Sequence, residues 1–175
     1  MLVKQVVYED YVNFKEPAMF IAFPKCTFKC EKECGKKFCQ NSQLASMPDI
    51  QIPMYMLVER YMSNPLTSAI VLGGLEPFDS LTDLLTLVNC FRLVTPDPIV
   101  IYTGYTEDEV MQMRVKALQT SVLEILSLYE NIIIKYGRFI PDNNPREDEV
   151  LGVTLASDNQ YAKYVGEKLD VRSVK

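Results

Sequence analysis

Four short runs of apolar residues recur along the chain, at 19–23, 68–72, 98–102 and 132–136. Each run is nearly continuous rather than alternating, which is typical of a strand that is covered on both faces of its sheet. A further run at 151–155 predicts another strand. The chain therefore contains at least four candidate strands for one buried sheet.

Two of the segments between these runs carry apolar residues at helical spacing. The stripes consist of Met54, Leu57, Val58 and Tyr61, and of Leu81, Leu84, Leu85, Val88 and Phe91. We also expect helix over residues 107–131, in one or two pieces, and a last short helix over 158–169. Strands and helices that alternate at these lengths predict an α/β fold around a parallel sheet.

Three of the predicted strands lead directly into loops that carry candidate functional residues, at 24–26, 73–77 and 103–106. The carboxyl ends of parallel strands meet at one edge of a sheet, and ligands bind there in open α/β sheets. We therefore expect a single site to which all three loops contribute.

The composition is that of a globular protein, and we interpret the 175 residues as one domain, 1–175. A net charge of −5 argues against nucleic acid as a partner. No apolar run approaches the roughly 18 residues of a membrane span, and the first residues lack a secretion signal, so we expect a cytoplasmic protein with no membrane contact. The chain has no histidine, which excludes Ser-His-Asp and Cys-His catalysis and every zinc site that contains histidine.

Four of the five cysteines, Cys26, Cys30, Cys34 and Cys39, lie within fourteen residues. An odd total clustered in this way is not typical of a disulfide framework, whereas thiolates are the ligands that iron–sulfur clusters and zinc require. A four-cysteine zinc site is the main alternative, although zinc ribbons and fingers pair C-x2-C units and the spacings here are x3, x3 and x4. Unligated cysteines are a further alternative, which would leave the loop open to oxidation.

Both ends of this cysteine loop resemble the radical S-adenosylmethionine signature, C-x3-C-x2-C. Cys26 and Cys30 have the spacing of its first two cysteines, and Phe38 stands where the family has an aromatic residue before its third. The tripeptide Cys-Gln-Asn that begins at Cys39 resembles the C-H-N or C-Y-N that closes the motif in glycyl-radical activating enzymes.

The resemblance implies that Cys26, Cys30 and Cys39 hold a 4Fe-4S cluster and that Phe38 contacts the cofactors. Residues 31–37 then carry an insertion that contains Cys34, which either substitutes for Cys39 or is a bystander. Three protein ligands leave one iron open, as metal catalysis needs. In this superfamily the amino and carboxylate groups of S-adenosylmethionine chelate that iron, and the reduced cluster cleaves the cofactor to methionine and a 5′-deoxyadenosyl radical.

Two later segments resemble cofactor-binding motifs of the same superfamily. The sequence Gly-Gly-Leu-Glu-Pro that begins at Gly73 is similar to its G-G-E-P segment, which implies that Gly73, Gly74 and Glu76 receive the amino group of S-adenosylmethionine. Ser157 and Asn159 match an S-x-N-Q motif whose side chains approach the bound cofactor. For these two residues, a helix N-cap is the equal alternative.

Together with the stretches 101–106 and 137–139, these motifs resemble the activating protein of anaerobic ribonucleoside-triphosphate reductase. The resemblance implies an incomplete (β/α)6-type barrel, with about six parallel strands, helices outside and one open side. It also implies an oxidoreductase that installs a glycyl radical on a partner enzyme, the anaerobic ribonucleotide reductase. The alternatives are a small radical enzyme acting on a metabolite, of the deazaguanine-forming type, and a four-cysteine zinc-stabilised interaction module.

The cysteine loop is basic although the whole chain is acidic. It contains Lys25, Lys29, Lys32, Lys36 and Lys37 against Glu31 and Glu33. We interpret this loop as a docking surface for an acidic electron donor such as flavodoxin. A merely solvated basic loop is the equal alternative.

Overall fold

The computed structural model describes residues 1–116 and 119–168. The strands in these ranges are β1 (Leu2–Val3), β2 (Gln5–Asp10), β3 (Ala18–Phe23), β4 (Ile50–Gln51), β5 (Ala69–Gly74), β6 (Ile99–Tyr102), β7 (Arg114–Val115), β8 (Thr120–Ser121), β9 (Ile132–Tyr136), β10 (Arg146–Asp148), β11 (Val153–Leu155) and β12 (Tyr161–Val165). The helices are α1 (Lys29–Cys34), α2 (Ser42–Ser46), α3 (Met54–Met62), α4 (Leu81–Arg92), α5 (Glu107–Gln112) and α6 (Val122–Leu126), with a 3₁₀ turn at Pro77–Ser80.

Six strands form the central sheet, in the order β12-β9-β6-β5-β3-β2. The inner strands β3, β5, β6 and β9 run parallel to one another, and they are the four strands that the continuous apolar runs predict. The outer strands β2 and β12 run antiparallel to their neighbours. The α/β class with a parallel core is therefore confirmed, whereas the expectation of about six parallel strands is wrong for the described part of the chain.

The two faces of the sheet are covered differently. Helices α3 to α6 pack against one face, where the larger apolar core lies. On the other face, Val71, Val100 and Ile133 meet Phe14 and Leu151 from the segments that flank the sheet. Because side chains alternate between faces along a strand, the next positions on this second face reach the carboxyl ends of the strands, where the site forms.

The helix predicted at 158–169 is wrong. Residues Tyr161–Val165 form β12, which pairs antiparallel with β9. All five residues of β9 are buried, so this strand needs a neighbour on its outer side, and a segment rich in tyrosine and valine suits a pleated sheet. Ser157 and Asn159 consequently do not cap a helix, while Leu169 lies outside the described residues.

The segment 107–131 is helical only in part. α5 ends at Gln112, and the short strands β7 and β8 then pair antiparallel before α6 begins. The side chain of Glu124 accepts the backbone N–H of Ser121 at 2.8 Å, which gives α6 a start of its own. Throughout the described ranges, every helix falls short of the length and apolarity that crossing a membrane would need.

The strand predicted at 151–155 is present as the shorter β11. It pairs with β10 in a separate two-stranded ribbon rather than in the central sheet. Because Leu151 and Leu155 are buried in the core of the second face, this ribbon covers that face and forms one wall of the site.

Candidate metal centre

A cavity of about 340 Å³ opens at the carboxyl ends of the parallel strands. Cys26 after β3, Glu76 after β5 and Gly104 after β6 all line it. The prediction that these three loops come together at one edge of the sheet is thereby confirmed. Gly137, which follows β9, also lines the cavity and adds a fourth strand end.

Three of the four clustered cysteines face this cavity. Cys26, Cys30 and Cys39 line it, whereas Cys34 is exposed at the last position of α1 and is absent from the described lining. Within residues 1–116 and 119–168, no three His, Cys, Asp or Glu side chains are gathered so as to hold a metal ion. The donor set itself, three thiols on one cavity, fits an iron–sulfur cluster, which requires soft sulfur ligands.

The environment of Cys26 favours the thiol while no metal is bound. Burial raises the pKa of Cys26 to about 12, although its sulfur accepts the backbone N–H of Phe28 at 3.2 Å. Burial also raises the pKa of Cys30. Because metals bind cysteine as the thiolate, loading this site with a metal would release protons.

The segment between Cys30 and Cys39 is folded around Glu31. One carboxylate oxygen of Glu31 accepts the backbone N–H groups of Phe38 at 3.1 Å and Cys39 at 2.9 Å. The segment turns back after α1 at Gly35, whose φ is 69°, a conformation that glycine adopts without strain. Glu31 therefore fixes the backbone at Phe38 and Cys39, so that Cys39 faces the cavity.

We expect Glu31→Ala to weaken metal retention without abolishing metal binding. The substitution removes two hydrogen bonds from a charged acceptor, each of which contributes about 1.5–3 kcal/mol when well shielded from water, and Glu31 is only partly buried. Iron loss from the reconstituted protein to a chelator should become about ten-fold faster. Glu33→Ala is the matched control, because it removes the same charge from the same helix without touching Phe38 or Cys39. Equal rates in the two variants would contradict the assigned role.

Hydrogen bonds tie the cysteine loop to its neighbours. Asp79, in the 3₁₀ turn after β5, accepts the backbone N–H of Thr27 at 2.6 Å and the hydroxyl of Tyr105 at 2.6 Å. The side chain of Asn41 donates to the carbonyl of Gly74 at 2.7 Å. The two ends of the loop are therefore both fixed to the edge of the sheet.

A cluster of charges attaches α1 to the rest of the site. Lys29 of α1 pairs with Glu109 of α5. Arg138, which follows β9, pairs with Glu109 at 2.7 Å and with Glu33 of α1 at 3.1 Å. The hydrogen bond from Arg138, supported by Lys29, lowers the pKa of Glu109 to about 2. The carboxylate therefore stays charged, and these pairs intact, across the neutral range.

Of the two glycines predicted to contact the cofactor, Gly74 is required by the backbone of the sheet itself, and Gly73 is closely packed. Gly74 has a φ of 86°, and a Cβ there would lie 2.7 Å from the Cα of Ala22 on the adjacent strand. A Cβ on Gly73 would come within 3.0 Å of the Phe20 ring. Of the pair, Gly74 also lines the cavity. Contact of either glycine with a cofactor remains a prediction.

Glu76 is buried at the edge of the cavity, with 5% of its surface exposed. One oxygen accepts the Thr103 hydroxyl at 2.8 Å and the Phe78 N–H at 3.2 Å, and the other accepts the Gly104 N–H at 2.9 Å. Burial raises the pKa of Glu76 to about 7 despite these donors. The side chain links the loops after β5 and β6, and its contact with a cofactor remains a prediction.

Three further residues are predicted to contact the cofactor, and only Phe38 among them belongs to the described lining of the cavity. Phe38 lines the cavity and packs edge-on against Phe139, with ring centroids 5.9 Å apart. Ser157 accepts the N–H of Ile140 at 3.0 Å, and Asn159 donates to the carbonyl of Arg138 at 2.9 Å. Neither Ser157 nor Asn159 belongs to the cavity lining of the described residues.

Two polar residues of the cavity were not identified from the sequence. Lys135 interrupts the apolar run of β9 but is 6% exposed and lines the cavity. Gln160, the last residue of the S-x-N-Q motif, is 5% exposed and also lines it. A charged residue within an otherwise apolar strand is the signal that could have identified Lys135.

Comparison with known proteins gives one match. A family model described as a 4Fe-4S single cluster domain matches residues 18–160. Neither the curated proteins nor the solved structures include a significant match. The matched range contains the four parallel strands of the central sheet, β3, β5, β6 and β9, and the whole cysteine loop. The two outer strands, β2 and β12, lie outside it.

Proposed function

Because this chain belongs to the family of 4Fe-4S single cluster domains, we propose that it is a radical S-adenosylmethionine enzyme. Domains of this family occur in radical S-adenosylmethionine-type proteins. The observation that carries the proposal is the separation of the cysteines, since Cys26, Cys30 and Cys39 face one cavity and Cys34 does not. Three thiolates leave one iron of a 4Fe-4S cluster without a protein ligand, which is the open position that catalysis needs.

The cavity has the size and chemistry of a small-molecule site. Its volume of about 340 Å³ falls within the usual range for ligand pockets. When bound, the cluster and S-adenosylmethionine supply reductive cleavage of a sulfonium bond and a carbon radical that abstracts hydrogen. The chain itself supplies three thiolates, an aromatic side chain at Phe38, and polar groups at the strand ends. Among these polar groups, Glu76 corresponds to the glutamate of the family's G-G-E-P segment.

Anaerobic reconstitution tests this proposal. The full chain should take up about four iron and four sulfide ions, develop a broad visible absorption band, and form 5′-deoxyadenosine when it is reduced in the presence of S-adenosylmethionine. Stoichiometric zinc without that chromophore would instead identify a zinc-stabilised module. If a complete cluster forms but S-adenosylmethionine is not cleaved, the protein binds a cluster and the proposed enzymatic activity is wrong.

We further propose that the reaction installs a glycyl radical on a partner enzyme, an anaerobic ribonucleotide reductase. The support comes from the motifs at 101–106 and 137–139 and from the fold, in which α3 to α6 cover one face of the sheet as the outer helices of an incomplete barrel would. Incubation with the partner and reductant should produce the doublet of a glycyl radical in the electron paramagnetic resonance spectrum. Deoxyadenosine formation that responds to a metabolite but not to the reductase would favour the small-molecule alternative.

A flavodoxin-like protein is the proposed electron donor, and the basic cysteine loop is its proposed docking surface. Lys36 and Lys37 are exposed beside the cysteines. Reversing both charges should slow reduction by flavodoxin about ten-fold at low salt and leave reduction by dithionite unchanged. The double reversal of Arg114 and Lys116, two cations exposed elsewhere, is the matched control. Equal slowing by both pairs would contradict a specific docking surface.

A further inference from the structure

Lys135 is a buried cation in the wall of the cavity. It is 6% exposed and lines the cavity together with Tyr102. Its neighbours across the sheet are Tyr102 on β6 and Ala162 on β12. The ammonium lies 5.9 Å from the centre of the Tyr102 ring. The side chains paired with Lys135 on the two adjacent strands are therefore aromatic and aliphatic.

The ammonium has fewer partners than its charge requires. Its one hydrogen bond within the described residues goes to the carbonyl of Gly137, at 2.9 Å, although a lysine ammonium carries three donors. None of the ion pairs found in residues 1–116 and 119–168 includes Lys135. Leaving a buried charge uncompensated costs free energy, so this position is a candidate for binding a charged ligand.

The ammonium remains largely charged at neutral pH. Burial lowers the pKa of Lys135 to about 8, while the negative charge of Glu76 opposes that shift. Glu76 itself is already bonded to Thr103, Phe78 and Gly104. Glu76 therefore acts on Lys135 through the electrostatic field of its charge and not through a hydrogen bond.

We propose that Lys135 is a carboxylate-binding residue, which receives an anionic group of the molecule that occupies the cavity. A carboxylate carries one negative charge, and it can accept hydrogen bonds from the ammonium N–H groups of Lys135 that are not bonded to the Gly137 carbonyl. A doubly charged phosphate fits less well, because Lys135 offers one positive charge and the other cations of the described cavity lining, Lys29 and Arg138, are already paired with Glu109. The carboxylate belongs either to the amino-acid part of S-adenosylmethionine or to a second molecule, and the first assignment rests on the proposed function.

The first experiment measures carboxylate binding without any need for turnover. Binding of propionate to the full chain, with and without reconstitution, is followed by ligand-detected nuclear magnetic resonance, with propanol as the uncharged comparison. The unmodified protein should bind propionate but not propanol. Lys135→Met should bind propionate at least about ten-fold more weakly, because it loses a charge-assisted hydrogen bond, and Lys135→Arg should retain part of the binding. Lys163→Met, which removes an exposed cation from β12, should behave as the unmodified protein does.

Two results would overturn the proposal. They are unchanged propionate binding in Lys135→Met and a failure of the unmodified protein to bind propionate. Thermal unfolding of each variant shows whether it is folded. If Lys135 serves only to hold Gly137 in place, Lys135→Met will lower the unfolding temperature while leaving propionate binding intact.

The second experiment identifies the source of the carboxylate. The affinities of S-adenosylmethionine and its decarboxylated analogue are compared on reconstituted protein. A loss of about ten-fold for S-adenosylmethionine alone in Lys135→Met assigns the carboxylate to that cofactor. Unchanged affinity for both, with propionate binding lost, assigns it to the second molecule. A protein that forms no cluster would refute the proposed function, and the propionate measurement would still decide the role of Lys135.

Discussion

Replacing Cys26, Cys30 or Cys39 with alanine is expected to reduce the iron content of the reconstituted protein from about four per chain to near zero. The three thiols line the same cavity, and a cluster with an open iron has no protein ligand to spare. Cys34→Ala should retain the cluster, because Cys34 is exposed at the end of α1 and lies outside the described lining. Iron and sulfide assays with visible absorption, on all four single variants, provide the measurement.

The pattern of loss across the four variants is more informative than any single loss. Cys90→Ala is an additional control, since that cysteine lies in α4 away from the loop. A cluster retained in Cys39→Ala and lost in Cys34→Ala would mean that the two cysteines exchange roles. Loss in all four loop variants, with zinc bound in the unmodified protein, would support a four-cysteine zinc site.

Gly74→Ala is expected to destabilise the protein by about 3–5 kcal/mol. A side chain at a φ of 86° is strained, at a cost of roughly 1–2 kcal/mol, and the new Cβ would lie 2.7 Å from the backbone of Ala22. Because Ala22 lies in β3, which is paired with β2 on one side and β5 on the other, its backbone has little room to move. Chemical denaturation gives the free energy of unfolding, and the midpoint of thermal unfolding should fall by about 10 °C.

Gly35→Ala separates the two causes of that destabilisation. Gly35 also has a positive φ, of 69°, but a Cβ there would meet no atom within 4 Å. Its substitution should therefore cost only the conformational part, about 1–2 kcal/mol. Equal destabilisation at the two positions would mean that the close approach of β3 and β5 at Gly74 has no energetic consequence.

The parallel core could be predicted from the sequence because its strands are apolar on both faces. Such runs are local and conspicuous, as at Ile132–Tyr136, where every residue is buried. β12 was missed because its polar and apolar residues are mixed, and its identity as a strand depends on pairing with β9 rather than on its own pattern. β2 likewise owes its place to pairing with β3 at the other edge of the sheet.

The candidate site could be located from the sequence, but its internal contacts could not. Because the carboxyl ends of parallel strands meet at one edge of a sheet, the sequence predicts that Cys26, Glu76 and Gly104 lie together. The structure shows all three lining one cavity. No sequence pattern, however, indicates that Glu76 would be enclosed by three protein donors, since those bonds depend on how the loops after β5 and β6 meet. The burial of Lys135 similarly follows from its register beside Tyr102 and Ala162.

We propose that three cysteines leave one iron of the cluster open to S-adenosylmethionine. Electron paramagnetic resonance of the reduced cluster in Cys34→Ala, recorded before and after addition of S-adenosylmethionine, tests it most directly. We predict that the reduced cluster is present in this variant and that its spectrum changes when the cofactor binds to the open iron. A cluster absent from Cys34→Ala, or a spectrum that S-adenosylmethionine leaves unaltered, would contradict the account.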